Sequence, residues 1–390
     1  MPEPLLDTVE IAPYEAPSGN EAPVPMPGIS VGSILLSVLL SLAVLVIIAI
    51  VTFEVAPFRQ MLHNLNPWLL AAAGGTVVLR VFFGGWRLNH VSHGRLGLLG
   101  GIRGQLAWDF FSNVTPSTIG GGPIASGYIA KDRNLPLGEA TSIMLFSMLM
   151  DQIWFAVSIP AILGLGLYLE IIPQSLGKIG SWSFTVYFLG FMGWVIIFGY
   201  STLFRPQLLE KLVDRVCRIK GLQRFHEGAL NVMRQLQRRA LILRSQRPGF
   251  YVKGFLLTLA SWINRYLLVV FIIWSVYPAL DKVLVLLRTI ALTLGSVVLP
   301  TPGGAGGLEG LYAIMLGPLI PDSLVAPTLL TWRLLGYYVF IAIGTFLTMD
   351  QVQKSIRRRK RTRALTQAST VPHHNGSPTV AEPEPVESAD

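Results

Sequence analysis

Eight ionisable side chains, Arg80, Arg103, Asp109, Asp151, Arg265, Arg288, Glu309 and Arg333, fall within or near strongly apolar stretches of this 390-residue chain. A charge in such a setting is costly and is by default a functional candidate. Two strings rich in glycine and proline accompany them, TPSTIGGGP at 115–123 and PTPGGAGGLEG at 300–310. A helix that restarts after such a string has free backbone N–H groups and a positive dipole end, and both attract an anion. Glycine also lets a ligand approach the backbone closely. The chemistry these residues suit is binding of an anion such as a phosphate. Thr115, Pro116, Gly120, Gly121 and Gly122 of the first string are candidate substrate-binding residues, as are Pro302, Gly303, Gly304, Gly306 and Gly307 of the second. Arg265 and Arg333 lie deepest in their segments and are the best phosphate ligands. Asp151 is a further candidate, expected to pair with an arginine. Glu309 stands in the first turn after the second string and has two readings. One is a cap at the helix dipole end; the other is a carboxylate that contacts a cationic group or carries a proton. Arg103 and Arg288 are expected to snorkel to an interface.

Other chemistries lack their residues. None of the six histidines lies inside an apolar span, and no nucleophile–base constellation or nucleotide-binding motif occurs. His90 and His93 share a loop, but two ligands do not make a metal site. The single cysteine, Cys217, excludes an intramolecular disulfide and a thiolate zinc site. No catalytic residue, metal or cofactor is expected. The formal charge of +9 invites a nucleic-acid partner, but the placement of the charges points to membrane topology instead.

The elements that must position these residues are membrane helices. The chain is 52% hydrophobic and 14% charged, against about 25% charged in soluble domains. Several apolar runs approach the roughly 20 residues that cross a bilayer. Six full spans are predicted at 30–53, 67–88, 138–169, 182–204, 249–277 and 324–348. Two further apolar segments, 96–130 and 283–320, are each too long for one span and contain the two strings. Residues 1–28 hold seven prolines and five acids without Lys or Arg, so 1–29 reads as a disordered tail. No basic signal-peptide start precedes the first apolar run, which is expected to be retained. Residues 351–390 read as a basic, then disordered, tail, leaving 30–350 as the transmembrane domain.

Charge orients the spans. Residues 205–247 carry eleven Lys/Arg against three acids, and 354–363 carry seven Lys/Arg. Arg87, Arg95, Lys131 and Arg133 form a third basic zone. The positive-inside rule places all three in the cytoplasm, with both termini there and the chain multi-pass in the cell (inner) membrane. Segment 96–130 then begins and ends on the cytoplasmic side, and 283–320 begins and ends outside. The expectation is an all-α integral membrane protein of about six full spans plus two re-entrant helical hairpins in an inverted repeat. Such repeats place irregular backbone and a substrate site near the membrane midplane. The alternative is a pair of kinked ordinary spans. Within 205–247, Leu222, Phe225, Ala229, Met233, Leu236, Ala240 and Leu243 recur at helical spacing, which predicts amphipathic cytoplasmic helices at the membrane surface.

TPSTIGGGPIASGYIAKDRNLPLGEA resembles the first signature of the lysylphosphatidylglycerol synthase transmembrane family, also called the flippase-like domain. PTPGGAGGLEGLYAIMLGPLI, followed by LLTWRLLGYY, resembles its second, with Glu309 and Arg333 at matching places. The resemblance covers roughly 30–350. It implies an integral membrane protein that moves lipids, including aminoacylated phospholipids, across the bilayer. The soluble domain that transfers lysine to phosphatidylglycerol in well-known members is not expected here, so the resemblance implies translocation without synthesis. Membrane lipids are the expected partners. A membrane enzyme acting on lipids, or a non-catalytic partner of a glycosyltransferase or other lipid-modifying enzyme, is the alternative.

Overall fold

The computed structural model describes residues 65–115, 121–166, 168–173, 177–203, 246–297, 301 and 303–349, with isolated positions between 39 and 59. The expected first span 30–53, the amphipathic helices in 205–247 and both tails therefore lie outside the described residues, as do Pro116, Gly120 and Pro302. Nearly all described residues belong to the first of two compact units, Met1–Leu347; of the second, Thr348–Asp390, only 348 and 349 are described.

The described residues form helices without strands. In chain order these are α1 (Pro67–Val91), α2 (Gly97–Val114), α3 (Gly121–Arg133), α4 (Leu137–Leu165), α5 (Gly177–Leu203), α6 (Pro248–Val276), α7 (Lys282–Ser296), α8 (Gly307–Leu316) and α9 (Asp322–Met349). Four of them, α1, α4, α6 and α9, are long and apolar enough to cross a membrane. The expected span 182–204 falls in α5, 27 residues long. The chain is an α-helical membrane protein. Large apolar side chains stay exposed on its surface, Trp182, Val186, Leu189, Ile196 and Ile197 on α5 among them. Water would penalise such a face, whereas lipid does not.

Helix ends follow local chemistry. Asn66 caps α1, its Oδ1 accepting from Trp68 N at 3.0 Å and Leu69 N at 3.3 Å, with Pro67 at the first helical position. Asp281 caps α7 in the same way through Val283 N and Leu284 N. The two glycine and proline strings interrupt helix as expected: α2 stops at Val114 and α3 starts at Gly121, and α7 stops at Ser296 and α8 starts at Gly307. In each case the two helices flanking the break pack on each other.

The central pair is α1 and α6. Asn66 N donates to Ser275 O at 2.8 Å at one end, Ser261 Oγ donates to Arg80 O at 3.1 Å near the middle, and Arg87 reaches Thr258 Oγ1 at 3.4 Å towards the other. Residue numbers rise on one helix as they fall on the other, so the pair is antiparallel. Helix α2 packs on α1 at backbone distance. A Cβ on Gly101 would lie 2.0 Å from Gly85 O, so only glycine fits there. Three apolar clusters surround this centre. The first joins α1 to α4 with the second half of α9, the second joins α6 to α9, and the third joins α4, α5 and α7.

Candidate functional site

Where these clusters meet, a polar cavity of about 140 Å³ opens between α1, α2, α4, α6, α7, the second break and α9. Waters need roughly 15 Å³ of such space each, so the cavity admits several waters or a small polar group. Four arginines line it, Arg80 and Arg87 from α1, Arg265 from α6 and Arg333 from α9, with Asp109 from α2 and Asp151 from α4. Arg80 and Arg87 are seven residues apart, two helical turns, so both fall on one face of α1.

The charges are mostly paired. Arg80 forms an ion pair with Asp109 Oδ1, and Arg87 with Asp151 Oδ1. Trp262 Nε1 also donates to Asp151 Oδ1 at 2.8 Å. The Arg87 guanidinium lies over the Trp108 ring, 5.3 Å from its centroid. Arg333 Nη2 and Glu309 Oε2 are 2.6 Å apart, with side chains 3% and 0% exposed. Arg265 differs: among the described residues no carboxylate pairs with it, and its contact is the Trp262 ring at 5.1 Å. Asp109 and Asp151 act on it only through space, and each is already paired with another arginine, so this guanidinium attracts a further anion. Several buried polar atoms in the same lining also lack hydrogen-bond partners: Asp109 Oδ2, Gln105 Oε1, Gln152 Oε1 and Arg87 Nε. In native proteins such atoms are normally satisfied, so this cavity is built to be filled by water or a ligand.

Five of the expected site residues converge on the cavity: Asp151, Arg265, Arg333, Gly303 and Gly304. Asp151 pairs with an arginine, as its surroundings suggested. Thr115, Gly121, Gly122, Gly306, Gly307 and Glu309 are absent from the lining. Thr115 closes the end of α2, its Oγ1 donating to Phe111 O at 2.7 Å. Gly121 and Gly122 are packing positions against Ser112 and against Met148 and Trp108. Glu309 Oε2 accepts from Gly306 N at 2.8 Å, so the capping reading describes its contacts, and the pair with Arg333 adds to it. The start of α8 is partly satisfied from within, because Leu308 N also donates to Gly304 O at 2.8 Å. Its expected role as an open anion cradle shrinks accordingly.

Two further expectations need correction. Arg87 does not belong to the basic zone facing the cytoplasm: it is 3% exposed, within α1, and lines the cavity. Arg288 does not snorkel. It is buried and donates to Glu170 O and Met315 O, each at 2.8 Å, tying α7 to the end of α8. Arg103 keeps a half-exposed side chain beside Asp132.

Sequence reasoning passed over Gln105, Trp108, Gln152 and Trp262. Single amides and indoles in apolar helices look like packing until their neighbours are known. Gln105 and Asp109, four apart on α2, carried the one readable signal, a polar stripe in an otherwise apolar segment.

The second break reaches the end of α2. A Cβ on Gly303 would lie 2.9 Å from Asn113 O, the last turn of α2, and 2.4 Å from Tyr337 Cε2. Gly303 has φ +59°, a left-handed conformation that favours glycine. Its carbonyl lies 3.5 Å from Arg333 Nη1. The tip of the second break is thereby wedged between α2 and a π-helical turn of α9, Leu334–Tyr338. Such turns recur at functional sites. No group of three or more His, Cys, Asp or Glu that could hold a metal occurs among the described residues.

The model of the family described as "Lysylphosphatidylglycerol synthase TM region" matches residues 34–344. A "UPF0104 membrane protein" of Archaeoglobus fulgidus is 22% identical over 271 residues, 67% of this chain and 79% of the relative. No solved structure matches the chain. The chain belongs to the lysylphosphatidylglycerol synthase TM region family.

Proposed function

We propose that this membrane protein moves a phospholipid or lipid-linked substrate across the bilayer, with the lipid phosphate held at Arg265. The observation that carries the reading is the polar cavity lined by an arginine that no carboxylate pairs with among the described residues. Arg80, Asp151 and Arg265 stand near the middle of helices long enough to span a membrane, so the cavity falls near mid-bilayer in this reading. A headgroup crossing the apolar core must exchange its hydration for protein hydrogen bonds, and the cavity supplies donors for that exchange. Arg333 is neutralised by Glu309, which leaves Arg265 as the phosphate ligand of the two arginines first considered.

In this reading the α2/α3 and α7/α8 pairs are re-entrant hairpins entering from opposite faces. The antiparallel run of α1 and α6, each followed by one broken pair, supports an inverted repeat. The termini lie in the cytoplasm of a cell (inner) membrane protein, and membrane lipids are its partners.

The test is leaflet exchange of fluorescent phospholipids in liposomes with and without the purified protein. The expected result is protein-dependent exchange, reduced at least ~10-fold in Arg265→Gln, since a charge-assisted hydrogen bond contributes about 1.5–3 kcal/mol. No exchange of any lipid would sink the reading. Co-purification of a lipid-modifying enzyme or glycosyltransferase with such an inactive chain would recast it as that enzyme's partner.

A further inference from the structure

We infer that the cavity selects headgroups carrying a hydrogen-bond donor beyond the phosphate, a hydroxyl or a primary ammonium, and rejects choline. The inference rests on the transport reading only for its assumption that the ligand is a lipid. A phosphodiester offers acceptors alone, and Arg265 with Arg87 Nε supplies the donors it requires. That leaves acceptors to be matched. Asp109 gives one carboxylate oxygen to Arg80, while its buried Oδ2 has no partner. This oxygen is acceptor-only, so only an O–H or N–H group, or water, satisfies it. The amides of Gln105 and Gln152, 6% and 5% exposed, lie on the same cavity and make no hydrogen bond to protein. A glycerol, sugar or ethanolamine headgroup brings the missing donors alongside its phosphate.

Trimethylammonium brings none. The usual recognition of a quaternary ammonium is a cage of aromatic faces. Here those rings already hold arginines: Arg87 lies over Trp108 at 5.3 Å, Arg265 over Trp262 at 5.1 Å and Arg333 over Tyr337 at 4.8 Å. Choline would lose the polar matches without gaining a cage. Sites built around hydrogen bonds to a ligand hydroxyl or amine discriminate strongly against analogues that lack the group, so a preference of ~10-fold or more is expected.

The experiment measures binding rather than transport. The full-length protein in detergent is titrated with dihexanoyl phosphatidylglycerol, phosphatidylethanolamine and phosphatidylcholine, identical in their chains. The readout is emission from the tryptophans, of which Trp108, Trp262 and Trp332 line the cavity. Glycerol and ethanolamine lipids are expected to bind at least ~10-fold more tightly than the choline lipid. Gln152→Leu should narrow that ratio by weakening the first two and sparing the third, and it leaves every ion pair intact. Equal binding of all three lipids overturns the inference while keeping the transport reading. Selective binding with no leaflet exchange keeps the inference and removes the transport reading. sn-Glycerol 3-phosphate or phosphoethanolamine binding as tightly as the lipids overturns the lipid source in favour of a soluble organophosphate. Binding of none of these probes overturns the inference outright.

Discussion

The two helix breaks look alike in sequence and serve the cavity differently. The first pair delivers side chains: Gln105, Trp108 and Asp109 reach the cavity from α2, well before the break. The second adds backbone to side chains: Gly303 and Gly304 sit at its tip beside Thr293 and Ser296 of α7, while its single acid, Glu309, is absent from the lining. The same contrast separates the two arginines that seemed equivalent as phosphate ligands. Arg333 is clamped to Glu309 and positions the second tip; Arg265 faces the cavity with no carboxylate partner. Charge in this bundle therefore has two uses, holding a tip in place and meeting a ligand. Pairing decides which use applies.

Substitutions on the two sides should differ in what they damage. The largest effect is expected from Glu309→Ala, which strands a buried guanidinium and removes the cap on Gly306 N. Thermal unfolding in detergent should show a loss of about 3–5 kcal/mol, and Glu309→Gln with Arg333→Met together should recover much of it. A stable Glu309→Ala protein that transports nothing would move Glu309 from the clamp to the ligand site and erase the contrast.

Arg265→Gln should do the reverse. Leaflet exchange falls at least ~10-fold, worth about 1.4 kcal/mol or more, while thermal stability holds or rises because a desolvated cation close to Arg80, with no ion pair of its own, is gone. Stability lost in parallel with transport would mean that Arg265 is structural after all. Gly303→Ala tests the wedge of the second tip against α2 and α9. Its left-handed φ and the approach to Asn113 O predict about 1–3 kcal/mol of destabilisation by the same unfolding measurement. The matching change at the first break, Thr115→Val, removes only a local bond to Phe111 O. It should cost about 0.5–1 kcal/mol and leave exchange near wild type. If these last two changes weigh equally, the breaks are more alike than their contacts indicate.

Much of the frame was readable in advance. The apolar runs around 67–88, 138–169, 249–277 and 324–348 became the four helices long enough to span, because bilayer thickness sets how many consecutive apolar residues a helix needs. The breaks were readable too, since proline and clustered glycine interrupt helix wherever they fall. The site was legible only in part. Asp151, Arg265 and Arg333 stood out as charges in apolar surroundings, but the same reasoning gave Glu309 an open role and counted Arg87 in a basic zone facing the cytoplasm.

Local sequence carries the cost of burying a charge but not the identity of its partner. Arg80 meets Asp109 across 29 residues, Arg87 meets Asp151 across 64, and Trp262 reaches the same carboxylate across 111. Those distances close only when α1 packs antiparallel to α6 and α2 slides in at Gly85 and Gly101. The chain by itself determined that helices would span and where they would break, because each depends on a residue and its near neighbours. Tertiary packing alone decided which charges neutralise each other, and therefore that Arg265 would face the cavity with no carboxylate to pair with.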